Sequence, residues 1–572
     1  MGMCGGTAAV LQRILCLLLV FVWGCHGNGS GGGRILVFPE DGSHWLNMEV
    51  ILRELHSRGH NLTVLRSAKS WYIPQNSPVY TSITVNPAPP LVGEDLGPDF
   101  YTILMQRSLK LRRMLPFLRF LEQQKDTAAM LMMFHGEALC MISTILDDSV
   151  LVAKLRESRF DLMLTDPAFP AGVLLAQYLG MPMVYNVRWL NAGEAHMTVA
   201  PTLPSYVPMY NSLFSDNMDL LQRTENFLRY LAILLQEHLV ILPLYVNLLQ
   251  RHFPPGADLL SMQRSADVWL MRVDFVFEFP RPTMPNVVYV GGFQCRPAEP
   301  LPADLEAFMQ SSGEHGVVVM SLGTLVSALP KEVTEAVAQA FAKLPHKVVW
   351  RFLGERPSSL GNNTLLLDWL PQNDLLGHPK TRVFVAHGGT NGLYEAIYHG
   401  VPVLGLPLLF DQFDNVLRLQ VRGVARVLEA ATLTTEDFLE ALRDVLESKS
   451  YRHNMQKLSG LHRDTPLSPL ASATFWIEYV MRNGGASHLR TKAYSLPWYS
   501  YHSLDVVSLL MALSGASLWA SVYVCSRLCC RSSRRKTKLD RHSHFVLNTK
   551  QLEREEEVCG TISTAWIVEL YV

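Results

Sequence analysis

The sequence predicts two doubly wound α/β domains in series, followed by one bilayer-spanning helix. Three observations carry this. Short apolar runs rich in β-branched residues alternate with amphipathic helical stretches through most of the 572 residues, the pattern of a parallel sheet covered on both faces. The alternation is interrupted by the proline-rich segment Pro280–Pro285 (PRPTMP) and then resumes. Near the C-terminus, Val506–Cys525 is apolar over about 20 residues, enough to cross the hydrocarbon of a membrane.

Composition narrows the function. Hydrophobic residues make up 48% and charged residues 18%, which describes an ordered globular chain. A formal net charge of -1 argues against a global polyanion partner, so no nucleic acid is expected. Of the 9 cysteines, only Cys140 and Cys295 lie in the long middle of the chain, which excludes a disulfide framework and a metal-ligand spacing there.

In chain order, Arg13 followed by the apolar Ile14–Trp23 and small residues reads as a secretory signal ending near Gly27. Arg34–Pro39 is a strand, and a helix follows from Ser43, a good N-cap, to about Arg58. Asn61–Arg66 is the next strand, completing a βαβ unit whose first turn, EDGSHW, lacks the GxGxxG dinucleotide fingerprint. A loop covers Pro87–Pro98, and Phe100–Leu155 is helical and rich in Met, Leu and Arg, suited to lining an apolar ligand pocket. Arg159–Thr165 is a buried strand that ends at Asp166. Asn226–Gln250 is very apolar but interrupted by Gln236, Glu237 and His238, and reads as buried or membrane-interface helices. Ala266–Arg272 closes the first domain. Val287–Gly291 and Gly316–Gly323 open the second, with Thr324 at a loop mouth.

These markers divide the chain into a signal peptide (1–27), a first domain (34–285), a second domain (286–463), a return helix with a juxtamembrane segment (464–504), a membrane helix (505–526) and a cytosolic tail (527–572). Arg527, Arg531, Arg534, Arg535, Lys536 and Lys538 follow the apolar span, so the positive-inside rule places that end in the cytosol and the long middle in the lumen. Asn61 and Asn362 head N-x-Thr sequons, consistent with a lumenal, glycosylated face.

The stretch Arg382–Gln412 organises the second domain. Arg382–Ala386 is a buried strand, His387-Gly388-Gly389 is a turn, and a helix covers Thr390–His399. Adjacent glycines let a phosphate approach the backbone, and the helix N-terminus favours an anion. Asn391 and Glu395 lie four residues apart on one helical face. Thr324, Trp369, Gln372 and Asp411 fall at the other strand ends, where open α/β sheets bind ligands.

The full string, with HGG, Asn391, Gly392, Glu395 and then Asp411-Gln412, resembles the signature of the UDP-glycosyltransferases. The SHW turn at Ser43–Trp45 and the run FDLMLTDPAFP around Asp166 match it as well. The resemblance covers about Arg34 to Lys538 and is closest to the vertebrate UDP-glucuronosyltransferases; Ala386 departs from it, since the family usually has Ser or Thr there. It implies a GT-B arrangement of two facing Rossmann-like domains, with the acceptor on the first and the nucleotide sugar on the second. It further implies His44 as the catalytic base and Asp166 as its partner. Thr324, His387, Gly388, Gly389, Asn391 and Gly392 would hold the diphosphate, Trp369 and Gln372 the uridine, Glu395 the ribose, and Asp411 and Gln412 the sugar. Arg272 matches a position linked to the carboxylate of glucuronic acid. No metal and no bound cofactor are implied, and the absence of an Asp-x-Asp pair agrees.

The expected reaction is thus inverting transfer of glucuronic acid from UDP-glucuronate to a small lipophilic acceptor, giving a β-glucuronide. Residence is expected in the endoplasmic reticulum membrane as a type I single-pass protein. Expected partners are the lipid bilayer and further copies or related transferases. The same motifs leave open UDP-glucose, UDP-galactose or UDP-N-acetylglucosamine as donor, and the role of a weakly active partner of homologous transferases. The tail past Lys538, through the acidic Glu553–Glu557, has no counterpart in the resemblance.

Overall fold

The computed structural model describes residues 32–87, 98–188, 193–324, 326 and 329–543. The expected signal peptide, most of the loop Pro87–Pro98 and the tail beyond Ser543 lie outside them. The chain divides into two compact units, the first ending at Tyr494 and the second beginning at Ser495.

The first unit holds two sheets. One has seven strands: β1 (Arg34–Phe38), β2 (Asn61–Ser67), β3 (Thr81–Val85), β4 (Leu162–Thr165), β5 (Met183–Val187), β6 (Val268–Met271) and β7 (Val287–Tyr289), in the order β3-β2-β1-β4-β5-β6-β7. The other has six: β8 (Val317–Ser321), β9 (Lys347–Arg351), β10 (Thr364–Leu367), β11 (Thr381–Ala386), β12 (Val403–Gly405) and β13 (Ala425–Val427), in the order β10-β9-β8-β11-β12-β13. Every neighbouring pair is parallel. The central strands are buried along their length, which is why they read as unbroken apolar runs and not as alternating ones. In each sheet the chain winds outward in one direction, then returns to the middle and winds the other way. That creates a switch point between β1 and β4, and another between β8 and β11.

Several sequence expectations are corrected. Ser43 is the first helical residue and not the cap: Gly42, at φ 67°, holds the cap position of the helix Ser43–Ser57. The Ser43 hydroxyl instead accepts a hydrogen bond from Arg188 at 2.7 Å. The strand expected over Arg159–Thr165 begins only at Leu162, because Arg159 turns the chain at φ 45°. Val287–Tyr289 does not open the second domain. It pairs with β6 through Trp269–Val287 and Leu270–Val288 and completes the first sheet, so the proline-rich segment joins two strands of one sheet. Gln236–His238 does not break the apolar stretch: a π-helical turn, Glu237–Ile241, links the helices Leu220–Gln236 and Leu242–His252 directly.

The helix Pro469–Asn483, which follows the second sheet in sequence, packs on the first. Ala473, Ile477 and Val480 are fully buried beside Ile35, Val37, Trp45 and Val268. In the second unit, Leu504–Ser543 is one helix, longer at both ends than the expected 505–526. Among the described residues, three helical stretches have the length and apolar composition to cross a membrane: Phe117–Asp147, Leu220–His252 and Leu504–Ser533. The first two bury part of their surface within the first unit, Ile142, Ile145, Tyr245 and Leu248 joining its core, whereas the third buries none.

Because Ile477 fills a core shared by segments far apart in sequence, Ile477→Ala should cost about 2–5 kcal/mol of stability. A thermal melt should show a clear downward shift; an unchanged midpoint would mean that the return helix is not part of the core.

Candidate active site

Both switch points open on one cavity of about 1190 Å³ within the first unit. From the first sheet, His44 follows β1 and Asp166 follows β4, so the side chains from adjacent strands meet. His44 Nδ1 lies 2.6 Å from Asp166 Oδ2. Burial pulls the His44 pKa down, and the Asp166 charge and hydrogen bond only partly restore it, so the imidazole is neutral near pH 7. Burial alone would raise Asp166. The His44 contact, the Arg272 charge and the Ala168 N–H outweigh it and hold the carboxyl below its usual range. The result is an ionised carboxylate orienting a neutral imidazole at the cavity wall.

From the second sheet, the loops after β8 and β11 enclose His387. A Cβ added at Gly323, whose φ is 78°, would fall 2.5 Å from His387 Nε2, so the loop can close on the ring only with glycine there. Gly388 has φ 94° and a Cβ there would meet the Gln412 carbonyl at 2.6 Å, so this turn also requires glycine. Burial drives the His387 pKa to about 4, and it is uncharged at neutral pH. The helix Thr390–His399 starts beside it and presents Asn391, Gly392 and Glu395 to the cavity.

Trp369 is 60% exposed, so it is no core residue; the Arg351 guanidinium stands 5.3 Å from its ring centroid and steadies an open aromatic face. Gln372 Nε2 donates to Glu395 Oε2 at 2.6 Å. Burial raises Glu395 to about 7 despite that bond. Gln412 Oε1 accepts the N–H groups of Leu408 and Leu409, each at 2.9 Å, which turns its amide NH₂ away from them. Asp411 would be raised by burial, but Arg188 and Asn415 hold it below the usual carboxylate range.

The structure thus gathers His44, Thr324, Trp369, Gln372, His387, Gly389, Asn391, Gly392, Glu395, Asp411 and Gln412 on one cavity. Asp166 and Gly388 stand directly behind that wall. Arg272 is buried behind it too, 6% exposed, with Nε and Nη2 lacking a hydrogen-bond partner among the described residues. Burial lowers its pKa to about 10, which leaves it cationic. Asn61 and Asn362 are exposed. Ala386 packs within the apolar core and not on the cavity, so its methyl replaces no cavity-facing group.

Two cations were not anticipated. Arg188 lines the cavity and reaches Asp411 Oδ1 at 3.4 Å as well as Ser43 Oγ. Arg351 lines it beside Trp369. Both stand at the carboxyl ends of strands, β5 and β9, so the strand-end rule that picked out Thr324 and Asp411 would have located them.

The fold and the two strand-end half-sites define a GT-B glycosyltransferase. Comparison with known proteins agrees. The glycosyltransferase of kitacinnamycin superposes with a TM-score of 0.51 at 19% identity over 78% of this chain and 98% of that one. CalG4, the calicheamicin glycosyltransferase, gives 0.51 at 19% identity over 79% and 99%. The family model "UDP-glucoronosyl and UDP-glucosyl transferase" matches residues 33–539. Mouse UDP-glucuronosyltransferase 2A1 is 40% identical over 513 residues, 88% of this chain and 94% of that protein. Human UDP-glucuronosyltransferase 1A1 is 42% identical over 515 residues, 89% and 92% respectively. The chain belongs to this family and is a UDP-glycosyltransferase.

The dyad makes a pH prediction. A histidine must be neutral to act as a base, so with His44 in that role activity should be present above its pKa and fall on an acid limb below the ordinary histidine range. Asp166 raises that pKa, so Asp166→Asn should move the limb of the residual activity to lower pH while cutting kcat about 100-fold or more. A limb that stays in place, measured by pH–rate profiles of both proteins, would remove Asp166 from this role.

Proposed function

We propose that this enzyme transfers glucuronic acid from UDP-glucuronate to a small lipophilic acceptor by in-line displacement with inversion, giving a β-glucuronide. The observation that carries the reading is the placing of an oriented neutral imidazole and a glycine-lined helix N-terminus on one cavity. His44 Nε2 takes the acceptor proton as the nucleophile attacks the anomeric carbon. Asp166 holds the tautomer and stabilises the imidazolium that forms. Negative charge develops on the leaving UDP, and the N–H groups at the start of Thr390–His399, with His387 and Thr324, offset it without requiring a metal. Trp369 stacks on the uracil beside Gln372, Glu395 accepts from the ribose, Asn391 steadies the phosphate, and Asp411 and Gln412 bind sugar hydroxyls.

The carboxylate of glucuronic acid needs a cation. Arg188 presents a guanidinium on the cavity wall, with Arg272 behind it adding to the positive field. The catalytic unit is placed in the lumen of the endoplasmic reticulum, anchored by Leu504–Ser533 as a type I protein. The exposure of Asn61 and Asn362 supports glycosylation on that side.

Membranes expressing the chain should form glucuronides from UDP-glucuronate with a panel of phenols and steroids, and His44→Ala should lower kcat about 10²–10⁴-fold. Arg188→Ala should lose about 10- to 100-fold in kcat/KM with UDP-glucuronate, a charge-assisted hydrogen bond being worth about 1.5–3 kcal/mol. The loss with UDP-glucose should be much smaller, and Arg272→Ala should follow the same direction more weakly. Equal losses on both donors would rule out carboxylate recognition by these arginines, and turnover with only neutral UDP-sugars would reassign the donor.

A further inference from the structure

The acceptor half of the cavity carries a carboxyl group that neither the dyad nor the donor site uses. Glu40 follows β1 and stands four residues before His44, on the same cavity wall. It has no hydrogen bond or ion pair among the described residues. Its carboxyl is held well above the usual range, first by burial and then by the charges of Asp166, Asp41 and Glu137. Glu40 is half-buried on this wall, with the phenols of Tyr101 and Tyr245 among its electrostatic neighbours.

The surroundings are suited to a cation. Phe134 and Phe169 stack with centroids 5.7 Å apart, and both line the cavity with Tyr101. Aromatic faces attract a desolvated ammonium. The arginines on this side are already engaged. Arg107 is bonded to Asp126 and Glu122. Arg66 donates to the carbonyls of Ile73 and Ser70. Lys69 is exposed. Glu137 and Glu237, the latter pushed inward by the π-helical turn, add further carboxyls to the same wall. Asp41 is not part of this set, since it is spent on the backbone N–H groups of Gly42, Trp71 and Tyr72 and on the Ser70 hydroxyl.

We propose that Glu40 is a specificity-determining residue that makes this enzyme prefer lipophilic acceptors carrying a protonated amine over neutral acceptors of the same shape. The proposal rests on the transferase reading and names its acceptor class. The ammonium replaces the proton that the carboxyl otherwise retains, so ligand and residue neutralise one another in the apolar pocket.

Two acceptors test it: para-(dimethylaminoethyl)phenol and its carbon isostere para-isopentylphenol, assayed with UDP-glucuronate on the full chain in membranes. The wild type should favour the amine in kcat/KM. Glu40→Gln should reduce that preference about 10- to 100-fold, mainly through KM, while turnover of the isostere is kept. A wild type with no preference, a preference unchanged in the variant, or equal losses on both phenols would overturn the assignment. A second measurement does not depend on the variant's folding or on turnover. Phenethyltrimethylammonium, which cannot react, should bind the wild-type chain in detergent more tightly than its neutral carbon isostere by calorimetry, and equal affinities would overturn the proposal. Absence of product from either phenol with any UDP-sugar would instead overturn the acceptor class given under the proposed function, leaving the calorimetric result to decide the role of Glu40.

Discussion

The His44–Asp166 hydrogen bond is possible only because β1 and β4 lie side by side in the sheet, although some 120 residues separate them in sequence. A lone buried carboxylate would be pushed toward its neutral form, and a lone buried imidazole at a strand end would have no fixed tautomer. Each group supplies what the other lacks. The register of β1 against β4, Phe38 opposite Thr165, sets both strand ends at one level and so sets the 2.6 Å contact. The same construction recurs in the second sheet. Ala386 is opposite Ser321 in β11 and β8, and the loops that leave them fold over the His387 ring. Both half-sites are therefore consequences of sheet topology before they are consequences of any single side chain.

Chemistry also requires the two half-sites to face each other, and polar ties between the domains stand beside an apolar core that holds residues of both sheets. Asp414, at the start of Gln412–Val421, accepts the backbone N–H groups of Asn211 and Leu213 at 2.5 and 3.1 Å. Both residues sit in the left-handed region, φ 60°, a conformation that costs a non-glycine residue about 1–3 kcal/mol and that the Asp414 contacts help to offset. Glu278 receives Arg418, and Asp274 receives both Tyr394 and His462.

Much of the donor half was legible in the sequence because it is local. Strand, turn, helix and strand follow one another from Thr381 to Gly405, and periodicity with glycine punctuation is enough to read them. The boundaries that failed did so for tertiary reasons. Val287–Tyr289 has only three residues and gains its identity from β6, not from its own pattern. The π-helical turn at Glu237–Ile241 looks like an interruption because polar residues fall where a regular helix would bury its face. Arg188 and Arg351 were missed although each ends a strand, since an arginine at a strand end more often solvates the edge than faces a ligand. Trp369 shows the converse: the sequence places it at a strand end as a ligand-facing residue, and its ring does stand open.

The half of the cavity on the side of the first sheet was barely legible, and the reason is geometric. Its wall is assembled from the β1 turn, the Trp71 turn, the helices Pro98–Arg112 and Pro116–Asp147, and the π-helical turn, none of which is adjacent to all the others in sequence. No spacing rule links Glu40 to Phe134 or Glu237. The donor half, by contrast, must present backbone N–H groups to a phosphate, a demand that a glycine turn before a helix meets within a few residues. A site built on backbone N–H groups can thus be compressed into one motif, while a wall made of side chains from distant segments cannot. Arg188 joins the two regimes: it leaves the first sheet, donates to Ser43 beside His44, and reaches Asp411 of the second domain, so one side chain ties the two half-sites together.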